Sequence, residues 1–411
     1  MSSESSSDED EYLVFPWDET LQSIKGNDPR VKLIQSDSEN IQNMTDEECE
    51  ELGRDIANNT RLRKVDLAYE ALNDHKTSFL FRGLTRSSSI KELELCNNDL
   101  SIAAVRSMVP FLQNANSLIR LDLDENNIQS EGFNVMFRAL SVSPIEMLYC
   151  SRCGIDSIEI DSERMPKRLK ILTLGGNKIN ADGLGIAKLL QGGDATLESL
   201  SLNRNKIDDD GVEILVGALQ NNKSLTHLYL GGNSLSKQGQ VLLLKLVNDI
   251  SSIEATLQSN HTLTHLYTDG GLDRHINLPT TINLETASIP EATGRKKVIR
   301  TQLHSKTRAE LAELQGVNHS VYSEIDPLHL PEVLVLVGRH HGQGELYFAL
   351  KSSIAGVIST VNRKECIRQQ RDYHLAKAKQ LDAELAAIEA AERCAVLVES
   401  ESRSIKKRRA C

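Results

Sequence analysis

Aliphatic residues recur between residues 62 and 275 with one fixed spacing, L-x-x-L-x-L-x-x-N-x-L. Eight copies of this pattern align, and they begin at Leu62, Ile90, Leu118, Ile145, Leu169, Leu197, Leu225 and Leu263. Five of the seven steps between these first residues are 27 or 28 residues long. A period of this length is typical of a solenoid, in which each unit packs only on its neighbours.

Each copy has two halves with different periodicity. Its L-x-L core alternates apolar and polar positions, which predicts a short strand. In the second half, apolar residues recur three and four apart, as in 182–190 and 211–219, which predicts a helix. When a strand and a helix alternate along the chain with the same handedness, the parallel strands lie on one surface and the helices lie on the other. Because helices are wider than strands, we expect the strands to line the concave face of a horseshoe.

An asparagine occupies the ninth position of the five complete copies: Asn98, Asn126, Asn177, Asn205 and Asn233. At this position the strand turns away, and a side-chain amide can satisfy backbone groups that no strand pairing reaches. We therefore interpret these residues as a structural asparagine ladder. The alternative is a line of ligand-binding amides.

These repeats resemble the ribonuclease-inhibitor-like leucine-rich repeats, a class also found in NOD-like receptor sensing regions, tropomodulin and Ran GTPase-activating protein. The run Leu-Thr-Leu-Gly-Gly-Asn-Lys-Ile at 172–179 is similar to that family's strand-and-turn signature. The family's glycine, four residues after the last aliphatic position, is matched by Gly132, Gly183, Gly211 and Gly239. The resemblance covers about residues 30–275 and implies an α/β leucine-rich-repeat horseshoe solenoid. The resemblance does not identify the function, because family members share a fold and bind different partners.

Composition divides the rest of the chain. Residues 1–20 hold seven acidic residues and five serines without a Lys or Arg, so we expect a disordered tail. Thr45 and Glu48 form a capping-box pattern that predicts a helix to about Asn58. The expected segments are the acidic tail (1–20), an N-terminal cap (21–61), a solenoid of about eight repeats (62–275), a basic linker (276–330), a helical C-terminal region (331–400) and a basic tail (401–411).

The predicted long helix at 363–398 carries a narrow apolar stripe that could support self-association as a coiled coil. Clean heptads are missing, so packing back onto the preceding helical block is the preferred interpretation. The basic cluster from Arg403 to Arg409 is typical of a nuclear-import signal and equally of a solvated tail.

The net charge of −11 argues against a general affinity for nucleic acid or for anionic membranes. No apolar run reaches the roughly 18 to 20 residues that would span a bilayer. The start of the chain lacks the basic and hydrophobic blocks of a secretory signal. The seven cysteines form no dense framework. We therefore expect a cytoplasmic protein.

Cys150 and Cys153 have the C-x-x-C spacing of redox and zinc sites. In the repeat register, however, Cys150 takes an inward position and Cys153 takes the asparagine position. A small buried thiol fits both places, and no second pair completes a tetrahedral set of zinc ligands. We interpret these cysteines as structural and expect no metal site.

Positions three, five and seven of each copy should lie on the concave face. In the N-terminal half this set is acidic, because Glu92, Glu94, Asp122 and Asp124 fall on adjacent strands. Strands lie about 5 Å apart, so these carboxylates repel one another unless a cation is near.

In the C-terminal half the same positions hold His227, Tyr229, His265 and Tyr267, and Tyr149 lies between the two halves. Exposed aromatic residues on a rigid scaffold are typical anchors for a protein partner. The alternative is that repeat copying duplicated a His-x-Tyr motif without a function. Two histidines without a nearby carboxylate would make a poor metal site.

The sequence offers no nucleophile with a matching base and no cofactor motif, so we predict neither a catalytic residue nor a cofactor. The predicted function is a non-enzymatic scaffold or adaptor that binds a protein on its concave face. The alternative is a GTPase-activating regulator, which the resemblance to Ran GTPase-activating protein implies. That function would need an exposed, well-placed arginine or asparagine near the N-terminal repeats, and Arg120 is the only obvious arginine there.

Overall fold

The computed structural model describes residues 14–36, 40–191, 195–287, 290–302, 305–317 and Arg371. Nine short strands form one parallel sheet in chain order. They are β1 (Leu33–Gln35), β2 (Lys64–Asp66), β3 (Glu92–Glu94), β4 (Arg120–Asp122), β5 (Met147–Tyr149), β6 (Ile171–Thr173), β7 (Ser199–Ser201), β8 (His227–Tyr229) and β9 (His265–Tyr267). Strands β2 to β9 fall on the eight aligned copies, so the predicted α/β repeat fold is confirmed.

Helices connect most of the strands, and their apolar faces join the middle residues of the strands in one hydrophobic core. They are α1 (Trp17–Lys25), α2 (Asp46–Asn58), α3 (Asp74–Leu84), α4 (Ile102–Asn114), α5 (Gln129–Ala139), α6 (Ala187–Leu190), α7 (Asp209–Leu219), α8 (Lys237–Asn248), α9 (Ile253–Gln258), α10 (Asp273–Glu285), α11 (Pro290–Lys297) and α12 (Ser305–Gln315). In the described part of the chain, no helix is long and apolar enough to cross a membrane.

Helix α2 begins with the predicted capping box. Thr45 Oγ1 accepts a hydrogen bond from the Glu48 backbone amide at 3.2 Å, and Glu48 Oε2 accepts one from the Thr45 amide at 2.7 Å. Two otherwise unpaired amides at the helix start are thereby satisfied. The capping-box prediction is confirmed.

The helix predicted over 182–190 begins only at Ala187. Two glycines before it pass close to the preceding turn of the solenoid, which runs without a helix between β5 and β6. A Cβ atom at Gly183 would lie 2.1 Å from the carbonyl oxygen of Asp156, and one at Gly185 would lie 1.8 Å from that of Ile158. This close approach of two backbones replaces the first turns of the expected helix.

The longest step of the repeat, from Leu225 to Leu263, contains two helices, α8 and α9. Ser252 Oγ accepts a hydrogen bond from the Ala255 amide at 3.0 Å and so caps a new helix start. Thr256 Oγ1 donates to the Asp249 carbonyl at 2.6 Å. Side chains that bond to nearby backbone in this way compete with helix continuation.

The ends of the repeat array also differ from the segment boundaries expected from composition. Helix α1 begins at Trp17, inside the expected acidic tail, and it buries Thr20 and Ile24. The expected linker at 276–330 contains most of α10 together with α11 and α12. The expectations for 331–400, 363–398 and 401–411 lie outside the described residues, apart from Arg371.

The expected linker is also attached to the last repeats by long polar side chains. Two of these donate to the last carbonyls of α8, Lys297 Nζ to Val247 (2.6 Å) and Gln315 Nε2 to Asn248 (2.8 Å). Arg308 Nη1 donates to the carbonyl of Ile250, two residues beyond the helix (3.0 Å). The last carbonyls of a helix have no partner within it, and cations are favoured there. Of the basic residues in the expected linker, Lys297 therefore caps α8 and Arg308 binds the chain just after it.

Candidate binding surface

The outward side chains of β2 to β9 form two parallel rows, which we call the strand face. The pairing of the strands aligns the first row as Lys64, Glu92, Arg120, Met147, Ile171, Ser199, His227 and His265. It aligns the second row as Asp66, Glu94, Asp122, Tyr149, Thr173, Ser201, Tyr229 and Tyr267. Of the concave-face residues predicted from the sequence, only Asp124 lies outside the rows, two residues beyond Asp122.

The N-terminal end of the strand face is a network of charges. Glu94 Oε1 lies 2.9 Å from Lys64 Nζ and 3.5 Å from Arg120 Nε. Arg120 Nη2 lies 3.5 Å from Asp122 Oδ2, and Lys64 Nζ lies 3.6 Å from Asp66 Oδ2. The two cations explain how neighbouring strands tolerate these carboxylates. Sequence analysis identified Arg120 but missed Lys64, which lies in a weak copy of the repeat.

Carboxylates still outnumber cations in this region. We call Lys64, Asp66, Glu92, Glu94, Arg120, Asp122 and Asp124 the acidic half.

Burial raises the pKa of Asp124 to about 6, and the neighbouring charge of Asp122 acts in the same direction. The Ser151 amide, which donates to Asp124 Oδ1 at 2.5 Å, opposes that shift. Burial also raises the pKa of Asp66 and of Asp122.

The middle of the strand face is less polar. Met147, Tyr149 and Ile171 are half-buried there on β5 and β6. The guanidinium carbon of Arg120 lies 4.4 Å from the centroid of the Tyr149 ring, within range of a cation–π interaction. Sequence analysis missed Met147 and Ile171, although both occupy position three of their repeats, the position of Arg120.

The C-terminal end carries two copies of Thr-His-Leu-Tyr, and we call His227, Tyr229, His265 and Tyr267 the His/Tyr half. The imidazole rings of His227 and His265 stack with centroids 4.2 Å apart and planes 6° apart. Threonine hydroxyls lie 2.8 Å and 3.0 Å from the two Nδ1 atoms. Burial lowers the pKa of His227, and the neighbouring His265 lowers it further. A second charge in this stack would meet repulsion at short range.

The ring of Tyr267 is 52% exposed and lies across Gly231. A Cβ atom at Gly231 would come within 2.5 Å of the ring, so the contact needs a glycine. The Asp269 carboxylate lies beside Gly231 as well, and its interaction with the Tyr267 hydroxyl raises the pKa of the tyrosine. Asp269 Oδ2 also accepts a hydrogen bond from the Gly232 amide. An exposed aromatic ring is thus held beside a carboxylate.

The asparagines at position nine lie behind the strand face, in the turns. Asn126 Nδ2 donates to the carbonyls of Leu95 (2.9 Å) and Leu123 (3.0 Å), and its Oδ1 accepts from the Leu100 amide (3.1 Å). The other four asparagines make the same kinds of contact with adjacent turns. Asn233 differs in being only half-buried.

Cys150 and Cys153 are buried free cysteines. Cys153 Sγ lies 3.1 Å from the Leu123 carbonyl, which is also an acceptor for Asn126, so the thiol takes the place of an asparagine amide. Burial raises the pKa of Cys150, which disfavours the thiolate needed for redox or metal chemistry. Among the described residues, no group of three or more His, Cys, Asp or Glu could hold a metal ion.

No protein-family model matches the chain, and neither does any curated protein. Among solved structures, leiomodin-1 actin-binding site 2 is similar over 34% of this chain and 80% of that one, with 20% identity and a TM-score of 0.29. The tropomodulin C-terminal domain of Caenorhabditis elegans is similar over 61% and 99%, with 12% identity and a TM-score of 0.25. The PEPR1–AtPEP1 structure is similar over 52% and 42%, with 14% identity and a TM-score of 0.21. At these TM-scores the similarities carry no functional argument, and the repeat assignment rests on the nine-stranded sheet.

Proposed function

We propose that this chain is a non-enzymatic scaffold that binds another protein on its strand face. The supporting observation is the alignment of the two rows, which places charged, apolar and aromatic side chains side by side on a rigid sheet. Binding interfaces commonly combine aromatic anchors with a polar surround. Met147 and Ile171 supply the apolar centre, while Tyr229 and Tyr267 supply the aromatic anchors.

The test is to replace Tyr229 and Tyr267 together with alanine and to measure recovery of the bound partner in a quantitative pull-down. We expect recovery to fall at least tenfold, because two anchors at about 1.4 kcal/mol or more each would be lost. The matched control replaces Ile214 and Leu284, exposed apolar residues on helices α7 and α10. Equal recovery with both double variants would move the binding site away from the His/Tyr half.

The alternative of a GTPase-activating regulator receives no support from Arg120. That guanidinium is bound by Glu94 and Asp122, lies against the Tyr149 ring, and is only 30% exposed. An arginine that inserts into a partner's active site needs a free head group. We expect no acceleration of GTP hydrolysis when this protein is added to small GTPases in a turnover assay.

We extend the proposal to the remaining sequence expectations. The repeats belong to the ribonuclease-inhibitor-like class, and the sheet curves into a horseshoe with the strands on its concave face. The protein acts in the cytoplasm, and the cluster from Arg403 to Arg409 permits nuclear import. Imaging of fusions with and without residues 403–411 tests the last point.

A further inference from the structure

Arg120 shows how the strand face receives a cation. Its guanidinium lies between the carboxylates of Glu94 and Asp122, with the Tyr149 ring 4.4 Å from its carbon. Carboxylates and an aromatic face together form a favourable environment for a guanidinium or an ammonium group. Here the bound cation is a side chain of the same protein, the guanidinium of Arg120.

The far end of the strand face repeats part of this arrangement, and among the described residues no cation forms an ion pair with its carboxylate, Asp269. Tyr267 presents an exposed ring beside the Asp269 carboxylate, and Tyr229 is its neighbour in the same row. The two rows contain no Lys or Arg from β5 to β9. An aromatic ring and a carboxylate held together with an open face fit a cationic side chain from another molecule.

The acidic half also retains negative charge that its own cations do not neutralise. Lys64 and Arg120 share Glu94, while Glu92 takes part in no ion pair within the described residues. Strands lie about 4.8 Å apart, so β2 and β9 are separated by roughly 34 Å along the sheet. A segment of about ten extended residues would reach from the acidic half to Tyr267.

Acidification changes the charge of both halves in the same direction. Burial raises the pKa of Asp124 to about 6, and the groups that face it are Asp122, Glu125 and the Ser151 amide. His227 is stacked on His265 and faced by Glu198, and protonation of His227 adds positive charge to the strand face. Loss of carboxylate charge and gain of imidazolium charge both oppose a cationic ligand.

Building on the proposed function, we propose that the strand face binds a Lys- or Arg-rich segment of its partner and releases that segment on mild acidification. A cationic side chain binds on Tyr267 beside Asp269, and the rest of the segment runs along the sheet to the acidic half. The apolar side chains of Met147 and Ile171 lie between these two contacts.

The experiment measures binding of a fluorescent nona-arginine peptide to the full chain by anisotropy, with nona-glutamate as the opposite-charge probe. The strand-face variant is Glu92→Gln with Asp124→Asn and Asp269→Asn. The control is Glu47→Gln with Glu213→Gln and Asp210→Asn, which removes the same charge from the starts and surfaces of α2 and α7. We expect nona-arginine to bind at least tenfold more weakly to the strand-face variant than to the control. Equal affinities would overturn the proposal by placing the binding elsewhere on an acidic protein.

The second arm compares pH 7.5 with pH 5.5. A carboxyl group of pKa about 6 is about 97% ionised at the first pH and about 24% at the second, so wild-type binding should weaken about fourfold or more. The variant Asp124→Asn with His227→Gln should reduce that change. A wild-type affinity independent of pH would overturn the release mechanism. Neither result depends on the Tyr229 and Tyr267 pull-down, so the failure of this inference and that of the proposed function are distinguishable.

Discussion

At the scale of single residues, the asparagines of position nine join neighbouring repeats. Each amide donates to a carbonyl of its own turn and to one of the preceding turn, while its oxygen accepts from the backbone of the preceding repeat. These backbone groups are buried and lie beyond the reach of strand pairing. A buried polar group without a partner costs about 1 to 3 kcal/mol. The ladder therefore stabilises the contact between repeats rather than any one repeat.

Asn126→Ala should lower the free energy of unfolding by about 2 to 4 kcal/mol, because it leaves several backbone groups unpaired in a buried turn. Asn233→Ala should cost clearly less, since Asn233 is half-buried and water can replace its amide. Urea denaturation followed by circular dichroism measures both values. Equal losses for the two variants would contradict this account of the ladder.

At the scale of elements, two glycines determine where the helical half of a repeat fails. Gly183 and Gly185 let their backbone approach the preceding turn within a distance that no side chain tolerates. The apolar pattern of 182–190 is that of a helix, but packing against the preceding repeat, which is only 24 residues long, prevents the first turns of that helix. The step from Ile145 to Leu169 is 24 residues long, but the length of a step gives no measure of the distance between the two backbones.

Gly183→Ala should destabilise the protein by more than 1 kcal/mol, because the new Cβ would meet the Asp156 carbonyl oxygen and the backbone would have to shift. Gly217→Ala is the matched control. Gly217 lies within α7 with open space around it, so alanine there should add about 0.5 to 1 kcal/mol of stability. Thermal unfolding of the two variants should move the midpoint in opposite directions.

Helices α11 and α12, which follow the last strand, were also not expected from the sequence. Lys297 is fully buried against the end of α8, and burial lowers its pKa to about 7. An unfolded lysine titrates near 10.5, so between these two pH values the unfolded state binds more protons. Stability should therefore fall as the pH drops from about 10.5 to 7, and this contribution should be constant below that range.

Lys297→Met removes this dependence. When the pH is lowered from 9 to 7, the wild type should lose about 2 kcal/mol of unfolding free energy relative to the variant. Arg308→Met is the control, because its guanidinium stays charged throughout this range. A pH-independent difference for Lys297→Met would mean that the carbonyls of Val247 and Asn260 keep the ammonium charged.

At the scale of the whole molecule, the sequence pattern predicts the repeat fold and much of the strand face. Leucines at period two and asparagines at position nine are local signals, so the strands and turns could be placed from them. Lys64 was missed because its copy of the pattern is weak, and Met147 and Ile171 because apolar residues at outward positions resemble core residues. The stacking of His227 on His265 and the contact of Tyr267 with Gly231 depend on side-chain geometry between repeats, which no single repeat encodes.

Helices α11 and α12, inside the expected linker, were missed for a different physical reason. Basic residues at high density suggested a linker, whereas Lys297 and Arg308 are buried against the backbone carbonyls of Val247 and Ile250. The chemistry that makes a cation soluble also makes it a suitable cap for a helix end. Composition alone does not separate these two uses.

Hydroxyl-radical footprinting of the chain, alone and with its recovered partner, tests the central claim most directly. Binding on the strand face predicts that Met147, Tyr149, Tyr229 and Tyr267 become protected together, while the exposed helix residues Ile214 and Leu284 keep their reactivity. Protection of Ile214 and Leu284 with an unchanged strand face would contradict the claim and place the partner on the helical side.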